Sequence, residues 1–435
     1  MSAGGAGALH LKQLQPRPTR GTISVVTRLQ SYRAFIAAMN PSSDPGAAIE
    51  QGYYVDPPDG GIWSALTRKL ELEPASTHLV LGGIGSGKTS ELLRTRDVLQ
   101  QSLRETGDFA EYCDVSRYHD LSARPRVGVL VALAGQVLTA AAKRSRPSPP
   151  AKGSPAEVAV KSLREFADGS FVWIDTYDDG SPPDGEPPGF WVSRAGVLAQ
   201  PASITRPHIE RRIPELQALL EHFPGPEHEA VMLFDSLDRL PQTEAFKRLA
   251  EHDVRALKHA GMGVVIVGPV RFMVGNDRSL ADLFDHVHFQ SATDPESEAG
   301  MTFLCEVLRR RTSSTNLLRD GCLPLLARSS GGVLRDLISL AKRSAEEAYT
   351  AGHSEITEAD VLRATDAMGR SLAVGLDDDQ LKVLHALDKN GVFVVRGERE
   401  LSLLETRRVL LYPGNRWSIH PALQPLLRGV PEMTG

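Results

Sequence analysis

Thr77-His78-Leu79-Val80-Leu81, then Gly82-Gly83-Ile84-Gly85-Ser86-Gly87-Lys88-Thr89, then Ser90-Glu91-Leu92-Leu93-Arg94, is the stretch on which the reading of the whole chain turns. A short apolar run enters the spacing G-x-x-x-x-G-K-T, and an amphipathic run leaves it with Leu92, Leu93 and Val98 at helical spacing. That order predicts strand, phosphate loop and helix. A polyphosphate has to be wrapped by consecutive backbone N–H groups, and only residues without a Cβ let the chain come so close, which Gly82, Gly85 and Gly87 provide. Gly83, Ile84, Ser86 and Ser90 fill out the same cradle. Lys88 is placed to reach the β- and γ-phosphates and the Thr89 hydroxyl to ligand Mg²⁺, while the following helix points its positive dipole end at the site. The expected ligands are ATP or ADP with Mg²⁺. Such a loop either turns nucleotide over or only holds it.

The chain has 435 residues, enough for two or three domains and a large core. Hydrophobic residues at 41% and charged residues at 24% are ordinary for a globular protein, and a net charge of −5 argues against a general polyanion binder. Three cysteines, Cys113, Cys305 and Cys322, stand too far apart for a C-x-x-C metal site and form no disulfide framework. No apolar run reaches the length of a membrane span, and the N-terminus lacks the charged-then-apolar order of a signal peptide. The expectation is a cytoplasmic protein with no membrane partner. H-E-x-x-H, G-x-S-x-G and Cys/His clusters are missing, so metalloprotease, hydrolase-triad and zinc readings have no support; the lack of N-K-x-D speaks against GTP.

Around the loop, the chain divides as follows. Residues 1–30 read as a tail, 31–295 as a phosphate-loop ATPase domain, 296–372 as a helical lid and 373–435 as a winged-helix domain. In the ATPase domain, a short helix over 32–39 and an extended aromatic segment, Gly52 to Pro58, precede a helix over 62–70. A second strand is expected over Phe109–Val115 and a helix over 125–142. The Pro/Ser/Lys-rich and Pro/Gly/acid-rich stretch 143–206 reads as a surface insertion, with local order around 158–166 and 170–176. After a helix over 209–222, Ala230-Val231-Met232-Leu233-Phe234-Asp235 has the pattern of a buried parallel strand delivering a carboxylate at its C-terminal end. Asp235 is either a second Mg²⁺ ligand or a helix cap; Asp238 either positions water or pairs with Arg239. A helix over 242–260, the apolar strand Gly263 to Gly268 and a half-buried strand over 286–290 complete an α/β parallel sheet whose ligand edge gathers Gly82, Asp235 and Arg271. Arg271 there either senses the γ-phosphate or lies on the surface. Helices are expected over 296–312, 317–328, 333–351 and 357–369, with Arg335 in the first turn of the third. The last part reads as helix 378–388, a possible strand 392–396, helix 400–407, the hairpin Val409–Tyr412 with Trp417–His420, and a final helix.

Four local matches resemble the STAND clade of phosphate-loop ATPases and, more distantly, the origin-recognition ATPases of the AAA+ class. They are Gly82 to Thr89, the apolar run with Asp235-Ser236-Leu237-Asp238, Gly332-Val333-Leu334-Arg335 as a sensor 2 helix start, and Ile419-His420-Pro421. The last is similar to a Met-His-Asp motif whose histidine contacts the β-phosphate of ADP, with Pro421 in place of the acid. The resemblance implies an ASCE-type phosphate-loop sheet with a helical lid and a winged helix, and a slowly hydrolysing ATP switch. In it Lys88, Asp235 and Asp238 serve turnover, Thr89 and Asp235 hold Mg²⁺, and Arg335 and His420 read the nucleotide. It further implies protein partners, a sensor or effector encoded separately, and assembly on ATP binding; bacterial STAND ATPases often serve conflict or signalling systems. The alternative is a DNA-acting AAA+ protein using its winged helix on duplex. Residues 376–428 hold eight Lys/Arg against seven acids, a poor balance for duplex binding, although Arg407, Arg408 and Arg416 could form a small patch.

Overall fold

The computed structural model describes residues 27–40, 45–103, 109–118, 121, 127–144, 150–170, 205–222, 230–240, 242–273, 282–312 and 316–428. Along the chain, α1 (Arg28–Ala38), α2 (Pro45–Glu50) and α3 (Gly61–Leu72) lead into β1 (Thr77–Gly82), α4 (Lys88–Leu103) and β2 (Phe109–Asp114). α5 (Val129–Arg144), α6 (Pro155–Ser170), α7 (Arg206–Glu210) and α8 (Ile213–Leu220) precede β3 (Ala230–Asp235). α9 (Thr243–Leu249), a π-helical turn (Ala250–Val254) and α10 (Arg255–His259) then reach β4 (Gly263–Val267) and β5 (His286–Gln290).

The five strands make one parallel sheet in the order β2-β3-β4-β1-β5. β4 lies between the loop-bearing β1 and the acid-bearing β3, as in sheets of the ASCE type. Every residue of β1, β3 and β4 is buried, because helices cover both faces of the sheet and no strand position faces water. On one face Leu81, Phe234 and Ile266 pack with the helices from α5 to α10; on the other Val80, Leu233 and Val265 pack with Leu66 of α3 and Leu92 of α4. Edge strand β5 is only partly buried.

Two departures from the sequence reading lie in this layer. α6 falls inside the expected surface insertion, yet Ala159, Leu163 and Ala167 are buried in the same core as α5. Their i, i+4, i+8 spacing supplies the apolar stripe, and Gly135 of α5 lets Leu163 close in to 3.2 Å from the position a Cβ would take. Beyond Ser170, the order expected over 170–176 lies outside the described residues. The helix expected over 209–222 is two helices, each with a proline (Pro207, Pro214) in its first turn, where the missing N–H costs nothing. A further polar group is built into this core. Asp253, fully buried on the π-helical turn, accepts from the N–H groups of Gly128, Leu130 and Val131 at 2.9, 3.0 and 3.4 Å, filling donors that α5 leaves open at its start. Burial pushes its carboxyl up to about 7 against the pull of those donors.

The lid consists of α11 (Glu298–Thr312), α12 (Cys322–Ser329), α13 (Leu334–Thr350) and α14 (Glu358–Ala373). α1 packs here, with Tyr32, Phe35 and Met39 buried among lid residues and Arg28 donating to the carbonyls of His353 and Tyr349. It starts at a Thr27 cap, before the boundary at 30 expected for the tail. The winged helix contains α15 (Asp378–Asn390), α16 (Glu398–Glu405), the antiparallel pair β6 (Val409–Tyr412) and β7 (Arg416–Ile419), and α17 (Gln424–Arg428). Residues 392–396, expected as a possible strand, form no strand: Phe393 is buried while Val392 and Val394 are exposed. No helix among the described residues is long and apolar enough to cross a membrane.

Candidate nucleotide site

At the C-terminal edge of the sheet the loop between β1 and α4 takes the conformation its glycines permit, with φ of +82° at Gly85 and +103° at Gly87. Gly85 is needed twice over, since a Cβ there would also come within 2.6 Å of the Arg335 Cβ. Lys88 is 6% exposed; its Nζ donates to the carbonyls of Gly82 and Gly83 at 2.9 Å each and pairs with Asp238 at 3.0 Å. The amine is thus held at the mouth of the loop. The Ser86 hydroxyl is buried in the loop without a hydrogen-bond partner among the described residues, a donor that a phosphate oxygen would satisfy. An orphaned hydroxyl and glycine-lined turns with a buried amine at their centre suit a phosphate chain.

Asp235 ends β3 at 4% exposure. Its Oδ1 accepts from the Ser236 N–H at 2.6 Å, its Oδ2 from the Tyr112 hydroxyl at 2.8 Å, and the Thr89 side chain also hydrogen-bonds to it. Burial raises its pKa, partly offset by these donors. A hydroxyl and a carboxylate side by side are the hard oxygen donors that Mg²⁺ takes. Ser236 occupies a left-handed conformation at φ +71°, so the chain turns sharply just past the acid. Asp114, opposite Asp235 in the β2–β3 register, accepts from Ser116 and Ser236; burial opposes, but these bonds hold its carboxyl below its ordinary range.

A cavity of about 460 Å³ opens over the loop. Its lining joins Ile84 to Ser90, Asp235, Asp238, Arg239 and Arg335 with the aromatic and aliphatic Tyr53, Tyr54, Val55, Phe303, Val307 and Ile338. A basic, glycine-rich lining joined to an aromatic and aliphatic one has the polarity of a nucleoside polyphosphate site. Arg311 lies over the Tyr53 ring at 5.0 Å and Arg94 over the Tyr54 ring at 5.8 Å. Glu91, the third carboxylate lining the cavity, is committed: it accepts from the Tyr54 hydroxyl at 3.1 Å and the Trp63 N–H at 3.2 Å, and burial raises its pKa. Asp238 is therefore the carboxylate here that a released Lys88 would leave open to water.

The residues expected from later in the chain part ways. Arg335 opens α13 with its N–H donating to the Gly85 carbonyl at 3.2 Å and its side chain exposed toward the cavity; partial burial and the like charges of Arg407 and Arg239 push its pKa down. Arg271 does not line the cavity. It makes a two-pronged pair with Glu405 of α16 at 2.8 and 2.9 Å. His420 is fully buried outside the cavity, its Nδ1 accepting from the Ala422 N–H and its Nε2 lying 3.5 Å from Asp336, the residue after Arg335. Arg407 grips the same Asp336 at 2.9 and 3.1 Å. Tyr112, Asp336 and the Arg407 side chain are the participants that sequence reasoning missed. None carries a motif, and each is recognisable only once β2 lies beside β3 or the winged helix lies on α13.

Strand order, loop and acid together define a phosphate-loop NTPase fold with a lid and a winged helix. No family model matches this chain, and no curated protein does. Among solved structures it is similar to the origin recognition complex of Drosophila bound to DNA, at 13% identity and a TM-score of 0.41 over 92% of this chain and 82% of that one. It is also similar to the Orc1 protein of Aeropyrum pernix in complex with DNA, at 15% identity and a TM-score of 0.38 over 85% and 91%. A third is the RuvB Holliday junction branch migration motor of Thermotoga maritima, at 14% identity and a TM-score of 0.37 over 83% and 94%.

Proposed function

We propose that this chain is an ATP-binding, slowly hydrolysing switch of the STAND/AAA+ type, acting through protein partners. One observation carries the reading: the parts that follow the ATPase domain are anchored beside the loop that would hold phosphate. Arg335 of the lid donates to Gly85, and the very next residue, Asp336, is held by Arg407 and His420 of the winged helix. A ligand that draws the Arg335 guanidinium inward acts on the residue beside the winged-helix contact. Binding energy that differs between docked and undocked states is what a switch requires.

In this reading Lys88 and the loop N–H groups hold the phosphates, Thr89 and Asp235 hold Mg²⁺, and Tyr53 and Tyr54 border the base. Held there, Mg²⁺ would supply neutralisation of the phosphate charge. Asp238, freed when Lys88 turns to phosphate, orients the attacking water. Asp238 rests in an ion pair with Lys88 that must open before it can act on water, in keeping with slow turnover. The DNA-acting alternative finds its small basic patch occupied. Arg407 is on Asp336, Arg416 pairs with Asp294 at 2.6 Å, and Arg408, 8% exposed, donates to the carbonyls of Leu372 and Val374.

Hydrogen exchange at residues 333–337 and 405–409, followed with ADP and with a non-hydrolysable ATP analogue, tests the switch. Faster exchange with the analogue is the expected result. Identical protection in both nucleotides would show that the γ-phosphate does not reach the winged helix, and the switch reading would fall.

A further inference from the structure

Asp235 presents two carboxylate oxygens, and three donors meet them. The Thr89 hydroxyl comes from the phosphate loop, and the Ser236 N–H from the residue directly after Asp235 itself. The Tyr112 hydroxyl, 2.8 Å from Oδ2, comes from β2, the neighbouring strand at the sheet edge, whose backbone pairs with β3 in register Tyr112 to Leu233. Because side chains alternate along a strand, Tyr112 and Asp114 point to one face, and Tyr112 is the one that stretches forward to the end of β3. Its ring packs half-buried beside Leu233 and Val231, so the phenol is aimed by the sheet rather than by a mobile side chain.

We propose that Tyr112 is a positioning residue for the metal carboxylate, holding Asp235 turned toward Thr89 so that Mg²⁺ finds its ligands in place. This rests on the nucleotide-switch reading above and adds to it a determinant of metal affinity lying outside every motif of the fold. Residues that orient a metal ligand through a hydrogen bond alter metal affinity by about 10- to 100-fold when removed. Tyr112→Phe removes the hydroxyl and keeps the ring.

The test is calorimetric binding of ADP to the full chain, first in EDTA and then at increasing Mg²⁺. Wild type is expected to bind ADP in EDTA and to gain affinity with Mg²⁺. Tyr112→Phe is expected to match wild type in EDTA and to need about tenfold more Mg²⁺ for half of the gain. Asp235→Asn, as the reference, should lose the gain altogether. An unchanged Mg²⁺ requirement in Tyr112→Phe overturns the assignment while leaving the nucleotide site standing. So does a variant that also loses ADP binding in EDTA, since that is a structural defect and not a metal one. Failure of wild type to bind ADP under any condition overturns the nucleotide reading and this assignment with it.

Discussion

Replacing Arg407 with alanine is expected to loosen the winged helix from the lid, and the structure sets the size of the effect. The Asp336 side chain is 5% exposed and that of Arg407 23%, with two hydrogen bonds between them. Deleting one partner of a fully buried pair costs about 3–5 kcal/mol, whereas an exposed pair is worth about 0–1 kcal/mol. This pair lies between the limits, and Asp336 keeps His420 nearby at 3.5 Å. A loss of about 2 kcal/mol follows, about 30-fold in the docking equilibrium. Cleavage at Val374-Gly375 by a protease at limiting concentration reads that equilibrium, because Arg408 of the winged helix holds the Val374 carbonyl and releases it when the winged helix lifts away. Arg407→Ala, Asp336→Ala and the double variant form a cycle with an expected coupling of about 1–2 kcal/mol. Strict additivity of the two single effects would refute the pairing as an energetic link. The sign with pH follows from the carboxyl. Burial works to raise it, but the nearby His420 imidazole and the Arg407 charge prevail and hold Asp336 below its ordinary range. A depressed folded value gives stability that is present above the unfolded pKa of about 3.9 and is lost as pH falls through the folded one. The contribution of this carboxyl to docking should therefore be level across neutral pH and weaken only in acid.

Three further outcomes are expected. Gly85→Ala places a Cβ against Arg335 at a φ of +82°, so ADP affinity and winged-helix docking should fall together; loss of one without the other would separate the loop from the lid. Asp253→Ala strips the buried acceptor from three N–H groups of α5 and should cost about 2–4 kcal/mol in urea unfolding. Because the folded carboxyl is raised to about 7, its contribution is full below about pH 3.9 and declines as pH rises through the folded value. The fall in melting temperature between mildly acidic and neutral pH should accordingly shrink in Asp253→Asn, and an undiminished fall would count against a buried, raised carboxyl. Tyr53→Ala removes one wall of the base end and should weaken ADP more than inorganic triphosphate; equal weakening of both would place the base elsewhere.

Much of the sheet is legible in the chain because its signals are local. The apolar runs 77–82, 230–235 and 263–267 are continuous since both faces are covered, and the turn after the first needs glycine. What cannot be read is set by contacts far apart in sequence. Arg271 follows a core strand as a phosphate sensor would, but Glu405, 134 residues away, takes its guanidinium. His420 lies at a hairpin end as the resemblance suggests, yet its partner is Asp336 and not the cavity. α1 and its capping residue carry Tyr32, Phe35 and Met39 on one face without indicating which body they enter. α6 sits inside a stretch whose prolines and glycines dominate its composition, and only the spacing Ala159, Leu163, Ala167 betrays that it is packed.

The claim beneath all of these is that residues 82–89 hold a nucleotide polyphosphate with Lys88 at its centre. Calorimetric titration of Mg-ATP into wild type and Lys88→Ala tests it most directly. Wild type is expected to bind and the variant to show no measurable binding, with its fold checked by an unchanged circular dichroism spectrum and melting temperature. A folded Lys88→Ala variant that keeps micromolar affinity for ATP would contradict it.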